Sequence, residues 1–240
     1  KKGSRSDIEN YRPIANLCTS SKVFEKLLLE RILDIEKERE VELSGTKQHG
    51  FKKGKSTVTA ALDLQEQIAK AMDDDNYVAV ASMDLTAAFD VINVDLLLTR
   101  MKRMGLPEDL LQILQAWLSQ RLAYVELGAD CSEFFEIAAG SGQGSILGSV
   151  LFNLFMSPMV ISKSILTYAD DNYQLAKNKN KNEALSDLQK RIIETEQWMS
   201  GSGLCVNLKK TELVIFHCFE TGNGMIKVGT ETIKSKKTLN

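Results

Sequence analysis

Two adjacent aspartates, Asp170 and Asp171, lie between two short apolar runs of the sequence. The pattern of residues 164–168 and 173–176 predicts two strands, with residues 169–172 as the turn between them. Two like charges at a tight turn repel each other, so they need full solvation or a bound cation. Magnesium prefers carboxylate oxygens and often takes only one or two from the protein. An Asp-Asp-Asn sequence taken alone is more often only a turn former, so the metal interpretation requires a third carboxylate.

Asp84 is the candidate for that third carboxylate. It ends the Val- and Ala-rich segment 77–84, which predicts a buried strand. If this strand lies beside the one that leads to Asp170, the carboxylates meet at one edge of a sheet. Three aspartates at strand ends are a ligand set for two magnesium ions about 4 Å apart, which catalyse phosphoryl transfer. Any one of the three, taken by itself, is more often a cap or turn residue than a metal ligand.

The remaining elements that must position these residues alternate irregularly between helices and strands, which indicates an α+β domain. Hydrophobic period and capping residues predict helices over residues 20–43, 56–72, 94–104, 107–118, 145–155 and 183–201. Further strands are predicted over 121–138, with a turn at 128–130, and over 211–219 and 225–228, and a polar loop over 177–182. The apolar face of the first helix is predicted to comprise Phe24, Leu27, Leu28, Ile32 and Ile35, and that of the second Val58, Ala61, Leu62, Ile68, Ala69 and Met72.

Charge is unevenly distributed in the 240-residue chain, although its net charge is only −2. Residues 61–176 carry 6 basic and 16 acidic side chains, whereas residues 1–60 carry 13 and 9 and residues 177–240 carry 11 and 7. Basic ends around an acidic centre suit a protein that binds phosphates at its edges and metal ions in the middle. Solvated charged faces alone produce the same pattern.

Membrane and secretion signals are not found in the sequence. The most apolar segment, residues 146–161, is interrupted by Asn153 and Pro158, and no run of 18 apolar residues occurs. The four cysteines show neither C-x-x-C pairing nor zinc-site spacing. We therefore expect one sizeable intracellular domain, built as two lobes, with no membrane partner.

The order of the motifs resembles that of a reverse transcriptase. Residues 84–90 (DLTAAFD), 142–148 (GQGSILG) and 168–171 (YADD) are similar to its A, B and C motifs. Residues 11–14 with 21–26, 50–57 and 203–212 resemble the amino-terminal, fingers and D motifs of the non-LTR (LINE-type) retrotransposon branch. The resemblance spans the chain from Tyr11 to about Phe219.

The resemblance implies a right-hand polymerase in which an antiparallel palm sheet is flanked by helices and the thumb is missing or incomplete. The fingers would be formed mainly by residues 1–76 and part of 94–147, and the palm mainly by 77–93 and 148–240. The implied activity is RNA-directed DNA synthesis: deoxynucleoside triphosphates are added to the 3′ end of a DNA primer on an RNA template. The implied cofactor is a pair of Mg²⁺ ions, with Mn²⁺ as a substitute. A nuclear location follows only from the family's action on chromosomal DNA, and the oligomeric state stays open.

Site roles follow from the same resemblance. Asp84, Asp170 and Asp171 match the metal-binding catalytic carboxylates. Phe89 matches the bulky residue that excludes the ribose 2′-hydroxyl, although a buried core phenylalanine is the alternative. Lys210 matches a lysine that acts on the leaving pyrophosphate.

Four further residues match the family's substrate-binding positions. Gln143 and Gly144 match the loop that packs near the incoming nucleotide, which would otherwise be read as a flexible glycine-rich loop. Lys52 and Lys55 stand where the family usually has arginines facing the triphosphate, and lysine lacks the bidentate fork of arginine.

Two departures from the family pattern keep other interpretations open. Gly142 and Ser149 stand where the family usually has proline, which loosens the backbone beside the nucleotide site. One alternative is a degenerate or domesticated copy that binds RNA without catalysis. Another is a group II intron-type reverse transcriptase, which shares the YADD sequence.

Overall fold

The computed structural model describes residues 14–142, 144–163, 165–217 and 223–237. The helices are α1 (Thr19–Glu38), α2 (Thr57–Asp73), α3 (Val94–Arg103), α4 (Glu108–Leu118), α5 (Gly148–Lys163) and α6 (Lys181–Gly201). The strands are β1 (Tyr77–Met83), β2 (Leu85–Thr86), β3 (Arg121–Ala123), β4 (Glu126–Leu127), β5 (Asp130–Cys131), β6 (Phe135–Ile137), β7 (Leu166–Tyr168), β8 (Asp171–Asn178), β9 (Cys205–Val206), β10 (Glu212–Phe216), β11 (Met225–Val228) and β12 (Glu231–Lys236). Residues 11–13 of the amino-terminal motif, Gln143 and the predicted strand positions 164 and 218–219 lie outside the described residues.

The central feature is a six-stranded sheet in the order β11-β12-β10-β1-β8-β7. Strand β1 pairs antiparallel with β10 on one side and with β8 on the other. The hairpin β7–β8 is also antiparallel, whereas β10 and β12 run parallel. The predicted α+β fold, with an antiparallel sheet flanked by helices, is therefore confirmed, with one parallel pair added.

Strand β1 forms the centre of the core because both of its faces are covered. Val78 and Val80 pack with Ala71 of α2 on one face. Ala79 and Ala81 belong to the main core on the other face, where α6 packs against β1 and β8. A strand that is buried on both faces needs a continuous apolar sequence, which is what segment 77–83 supplies.

Helix α5 extends well beyond the predicted end near Phe155, as far as Lys163, with Pro158 inside it. A proline removes one helical hydrogen bond and usually bends or ends a helix. Here the residues on both sides of it, Met156 and Met159, are completely buried, so tertiary packing maintains the helix. Among the described residues, no helix combines the length and apolar character that a membrane span requires.

The buried face of α1 includes Leu28, Ile32 and Ile35, as predicted, but differs from the prediction at the other two positions. Phe24 and Leu27 are 38% and 58% exposed, whereas Glu25 is only 2% exposed and lies on the buried stripe. That stripe continues through Leu28, Ile32 and Ile35, with the 3–4–3 spacing of a helix face. The helix also ends at Glu38 rather than near residue 43.

The predicted inward face of α2 is largely wrong. Val58 and Leu62 are 64% and 57% exposed, and the buried residues of this helix are Ala60 and Ala71. The helix packs on one face of the sheet through Ala71 and the partly buried Leu64, Ile68 and Met72, so of the predicted inward residues only Ile68 and Met72 face the strands.

The predicted polar loop at 177–182 is shorter in the structure. Strand β8 continues through Asn178, which pairs with Tyr77 at the start of β1. Helix α6 then begins at Lys181, because the Asn180 side chain accepts hydrogen bonds from the backbone N–H groups of Asn182 and Glu183. Pairing with the neighbouring strand β1 extended β8 through residues that are polar in sequence.

The predicted hairpin at 121–138 forms two short antiparallel ladders, β3–β6 and β4–β5.

The sequence offers Ser56 or Thr57 as the cap of α2; in the structure the cap is Ser56, and this gives a test of the fold. Ser56 Oγ accepts from Thr59 N at 3.3 Å, and Thr59 Oγ1 accepts from Ser56 N at 2.8 Å. We expect Ser56→Ala to lower the free energy of unfolding by about 1 kcal/mol, because one helix N–H group loses its acceptor. Urea titration of Ser56→Ala and of Thr57→Ala, which removes a hydroxyl one residue later, measures the difference. Equal losses in both variants would contradict the capping role.

Candidate active site

The two adjacent aspartates lie at the tip of the β7–β8 hairpin. Tyr168 pairs with Asp171, so Ala169 and Asp170 form a two-residue turn. Ala169 adopts a left-handed conformation with φ of 56°. The side-chain amide of Asn172, which is completely buried, donates to the backbone oxygen of Asp170 at 2.7 Å. The turn is thus held from inside the hairpin while both carboxylates remain at its surface.

Asp84 reaches the same edge of the sheet, as the sequence predicted. Met83, the last residue of β1, pairs with Asn172 of β8, so Asp84 follows directly beside Asp171. The short β2–β9 ladder after it pairs Leu85 with Val206, and Asn207 N donates to Asp84 O at 2.9 Å. The end of β1 is therefore fixed on both sides, by β8 and by the segment after β9.

Three negatively charged carboxylates lie close together at this edge of the sheet and repel one another. The pKa of Asp171 is raised, first because its carboxyl group is partly removed from water and then because Asp170 and Asp84 are negatively charged. Such an excess of negative charge on oxygen ligands fits a hard divalent cation. Across the described ranges, no three His, Cys, Asp or Glu side chains are grouped as an assembled metal site.

Lys210 provides the cation that the structure places at this edge. Its Nζ lies 3.0 Å from Asp84 Oδ2. The backbone N–H of Lys210 donates to Asn207 Oδ1 at 3.3 Å, and this anchors the loop that carries the lysine. The structure therefore brings together four of the predicted residues: Asp84, Asp170, Asp171 and Lys210.

The glycine-rich loop that precedes α5 lies along the loop that follows Asp84. Ser141 N donates to Phe89 O at 2.9 Å. Gly140 has φ of +88°, and a Cβ there would lie 2.9 Å from Asp90 O, so the close approach requires glycine. Gly144 is exposed, and a Cβ there would lie 3.0 Å from Ala15 O, which places it against the amino-terminal segment.

Phe89 is half-buried and contacts aromatic rings on two sides. Its ring centroid is 4.5 Å from that of Phe152 of α5 and 6.0 Å from that of Phe51. These contacts fit a partly buried core residue as well as a wall of the nucleotide pocket. The role of Phe89 in sugar selection stays a prediction.

The predicted triphosphate lysines are paired with a carboxylate in this structure. Lys52 Nζ lies 2.7 Å from Glu42 Oε2 and 3.1 Å from Gly45 O. Lys55 Nζ lies 3.9 Å from the same Glu42 oxygen and donates to Thr46 O. Burial, and then the charge of Lys52, lower the pKa of Lys55. The structure thus brings the two lysines together at Glu42, and not at the aspartates.

Two supporting side chains were missed by the sequence analysis. Glu25 Oε2 accepts from Ile146 N at 2.8 Å and so holds the glycine-rich loop from α1. Gln48 Oε1 accepts from Ala169 N at 3.2 Å, in the aspartate turn. A signal existed for Glu25, since it falls on the 3–4–3 stripe with Leu28 and Ile32, but none existed for Gln48.

A sheet that presents aspartates at a hairpin tip and at the end of the adjacent central strand is typical of the palm of a nucleic-acid polymerase. The fold agrees with this class. Apo telomerase from Candida tropicalis superposes with a TM-score of 0.59 at 12% sequence identity, covering 89% of this chain and 39% of that chain. The same telomerase truncated from its C-terminal domain gives a TM-score of 0.57 at 14% identity, covering 88% and 44%.

The sequence comparison is more specific. Residues 1–237 match the family described as reverse transcriptase (RNA-dependent DNA polymerase), and the chain belongs to that family. It is 32% identical over 213 residues to the probable RNA-directed DNA polymerase from transposon BS of Drosophila melanogaster, covering 85% of this chain and 23% of that protein. It is 31% identical over 222 residues to the RNA-directed DNA polymerase from mobile element jockey of the same species, covering 88% and 24%. The resemblance to the non-LTR branch is confirmed, and the chain spans about a quarter of the length of these relatives.

The repulsion at the aspartate edge predicts a stability gain when one charge is removed. A carboxyl group with a raised folded-state pKa destabilises the fold above that pKa. In the presence of EDTA at pH 7, Asp171→Asn should therefore raise the melting temperature by roughly 1–3 °C. The gain should shrink as the pH falls towards about 3.9, where the unfolded chain is protonated too.

Calorimetry of Asp171→Asn at several pH values measures this effect, and Asp130→Asn is the matched control. Asp130 begins the exposed β5 strand, so its charge is removed at a distance from the cluster. A lower melting temperature for Asp171→Asn at pH 7 would contradict the repulsion.

Proposed function

We propose that this chain is the RNA-directed DNA polymerase domain of a retroelement, which adds deoxynucleotides to a primer 3′ end. The observation that carries the proposal is the position of Asp84 beside the Asp170–Asp171 hairpin, in a chain of the reverse transcriptase family. The relatives named above are RNA-directed DNA polymerases from mobile elements, and one matched telomerase structure is a complex with a fragment of telomeric RNA. The proposed partners are an RNA template, a DNA primer and deoxynucleoside triphosphates, and the proposed location is the nucleus.

The proposed cofactor is a pair of Mg²⁺ ions, with Mn²⁺ as a substitute. Asp84, Asp170 and Asp171 would hold the ions, and the pKa of Asp171, raised by burial and by the charges of Asp170 and Asp84, supports a cation site at this edge. When bound, the ions would activate the attacking oxygen and stabilise the leaving one. The role of the chain is to keep three carboxylates at one edge despite their repulsion, through the β1–β8 ladder.

The basic residues would exchange partners when substrate binds. Lys210 is paired with Asp84 in the structure. Its ammonium group would move to the leaving pyrophosphate, where its N–H groups would donate to phosphate oxygens. Lys52 and Lys55 would exchange Glu42 for the triphosphate. In each exchange a protein carboxylate is replaced by a more highly charged phosphate group, which favours the bound state.

The nucleotide itself would be enclosed by the loops that follow Asp84 and precede α5. Phe89 would close the pocket on the side of the sugar, and Gln143 and Gly144 would pack beside the base. The fingers would be formed mainly by residues 1–76 and part of 94–147, and the palm mainly by 77–93 and 148–240.

One observation favours a second candidate function, RNA binding without catalysis. Gly142 stands where the family usually has proline, and it adopts φ of +79°. Proline is restricted to φ near −65°, so this loop follows a path that the usual residue cannot adopt. A displaced nucleotide loop would leave nucleic-acid binding intact and weaken synthesis.

Primer extension on an RNA template decides between the two functions. The wild-type chain should extend a DNA primer in Mg²⁺, whereas Asp170→Asn should lose orders of magnitude of activity, because a charge at the metal site is removed. Circular dichroism should show both proteins folded, and Asp130→Asn serves as the control. Extension by folded Asp170→Asn at near wild-type rate would remove Asp170 from the site. A wild-type chain that binds template-primer without extending it would support the second function.

Sugar selection gives a separate test of Phe89. Phe89→Val should raise the incorporation of ribonucleotides relative to deoxyribonucleotides, because the smaller side chain leaves room for the 2′-hydroxyl. The ratio of kcat/KM for the two nucleotides measures this. Phe51→Val, which removes a ring that touches Phe89, is the comparison variant. An unchanged ratio in Phe89→Val, or the same change in both variants, would assign Phe89 to packing alone.

A further inference from the structure

The segment Lys47–Phe51, here called the strut, extends the central sheet at the edge beside the aspartate turn. Gln48 forms a parallel bridge with Thr167 of β7. Thr167 N donates to Lys47 O at 2.9 Å, and His49 N donates to Thr167 O at 2.8 Å. A piece of chain far away in sequence is thus bonded to the strand that leads into Asp170.

The side chain of Gln48 reaches from the strut into the turn itself. Gln48 is completely buried, and its Oε1 accepts from Gly50 N at 2.7 Å and from Ala169 N at 3.2 Å. An amide oxygen has two lone pairs, so one atom satisfies both N–H groups. Ala169 has φ of 56°, a conformation that residues other than glycine adopt rarely and that needs support from its surroundings.

The close packing of the strut against the turn leaves little freedom. A Cβ at Gly50 would lie 2.2 Å from Ala169 N, so only glycine allows this approach. Asn153 of α5 donates to Gly50 O at 2.9 Å from the other side. Phe51, the next residue, contacts Phe89 in the loop after Asp84. One short segment therefore contacts both loops that carry the candidate metal ligands.

The rest of the Gln48 side chain argues against a role in stability alone. Among the residues that the structure describes, Gln48 Nε2 has no hydrogen-bond partner. A buried amide with an unpaired N–H group is destabilising, so an apolar residue would suit the core better at this position. The feature that distinguishes glutamine here is the oxygen that binds the turn.

We propose that Gln48 is a positioning residue for DNA synthesis: its Oε1 fixes the backbone of Ala169 and thereby sets the location of the Asp170 carboxylate. The proposal rests on the proposed function, because the consequence of a displaced Asp170 is lost metal binding and lost synthesis. Replacing a side chain that orients a metal ligand typically lowers metal affinity or enzyme activity by about 10–100-fold.

The test compares three substitutions in the chain. Gln48→Met keeps the length and removes the acceptor, whereas Gln48→Glu keeps an acceptor oxygen. Gln174→Met is the matched control: Gln174 is also a buried glutamine of the same sheet, 4% exposed, but its amide bonds to Thr195 of α6. Both methionine variants lose a buried amide, and only one loses contact with the turn.

Gln48→Met should lower kcat for primer extension by roughly 10–100-fold, while KM for template-primer should change by less than about twofold. It should also weaken Mn²⁺ binding, measured by electron paramagnetic resonance, by a factor similar to the loss in kcat. Gln48→Glu should recover most of kcat, and Gln174→Met should retain kcat and Mn²⁺ affinity. A folded Gln48→Met with wild-type kcat, or a Gln48→Glu as impaired as Gln48→Met, would overturn the proposal. If Gln48→Met does not fold, Gln48→Asn, which withdraws the oxygen by one methylene, replaces it with the same expected result.

Amide hydrogen exchange over residues 168–172 separates this proposal from the function on which it rests. Gln48→Met should speed exchange at Ala169 in the metal-free chain, and Gln174→Met should not. If the wild-type chain synthesises no DNA, the proposed function fails, and the exchange result still decides whether Gln48 holds the turn. Unchanged exchange in Gln48→Met, beside an active wild type, overturns the positioning role alone.

Discussion

Mutual repulsion among Asp84, Asp170 and Asp171 is the constraint on which the arrangement of the candidate site depends. Burial and the two neighbouring charges raise the pKa of Asp171, so the fold holds these groups together against an electrostatic cost. The compensation comes from strand β1, whose residues Val78–Ala81 are completely buried between helices on both faces. A rigid central ladder, rather than any contact among the carboxylates, keeps them at one edge.

The amino-terminal part of the chain completes this support from outside the sheet. The strut bonds to β7 at the open edge and reaches the aspartate turn through Gln48. Helix α1 reaches the glycine-rich loop through the buried carboxylate of Glu25, which accepts from Ile146 N. Backbone N–H groups of two loops, the aspartate turn and the loop before α5, are therefore satisfied by side chains from the first 50 residues. This makes the geometry of the candidate site a property of the whole domain.

The basic residues of the candidate site are each paired with a carboxylate. Lys210 is paired with Asp84, and Lys52 and Lys55 share Glu42. Each lysine proposed to bind phosphate is thus paired with a carboxylate of the chain. Under the proposed function, substrate binding is then an exchange of ion pairs, whose net gain is much smaller than that of an unpaired lysine meeting a phosphate. Affinity for nucleotide would consequently depend on Glu42 as well as on the lysines.

The sequence by itself determined the features that depend on residues close together along the chain. The central strand that leads to Asp84, the hairpin that carries Asp170 and a helix cap at Ser56 or Thr57 follow from local period and turn chemistry, and the order of motifs identified the family. Only the tertiary structure decided that Glu25 rather than Phe24 is buried in α1. It alone also joined the strut to β7 and paired the lysines with Glu42. These contacts join residues up to 121 positions apart, as between Gln48 and Ala169. The local hydrophobic period of a sequence contains no information about which distant segment will satisfy a buried N–H group.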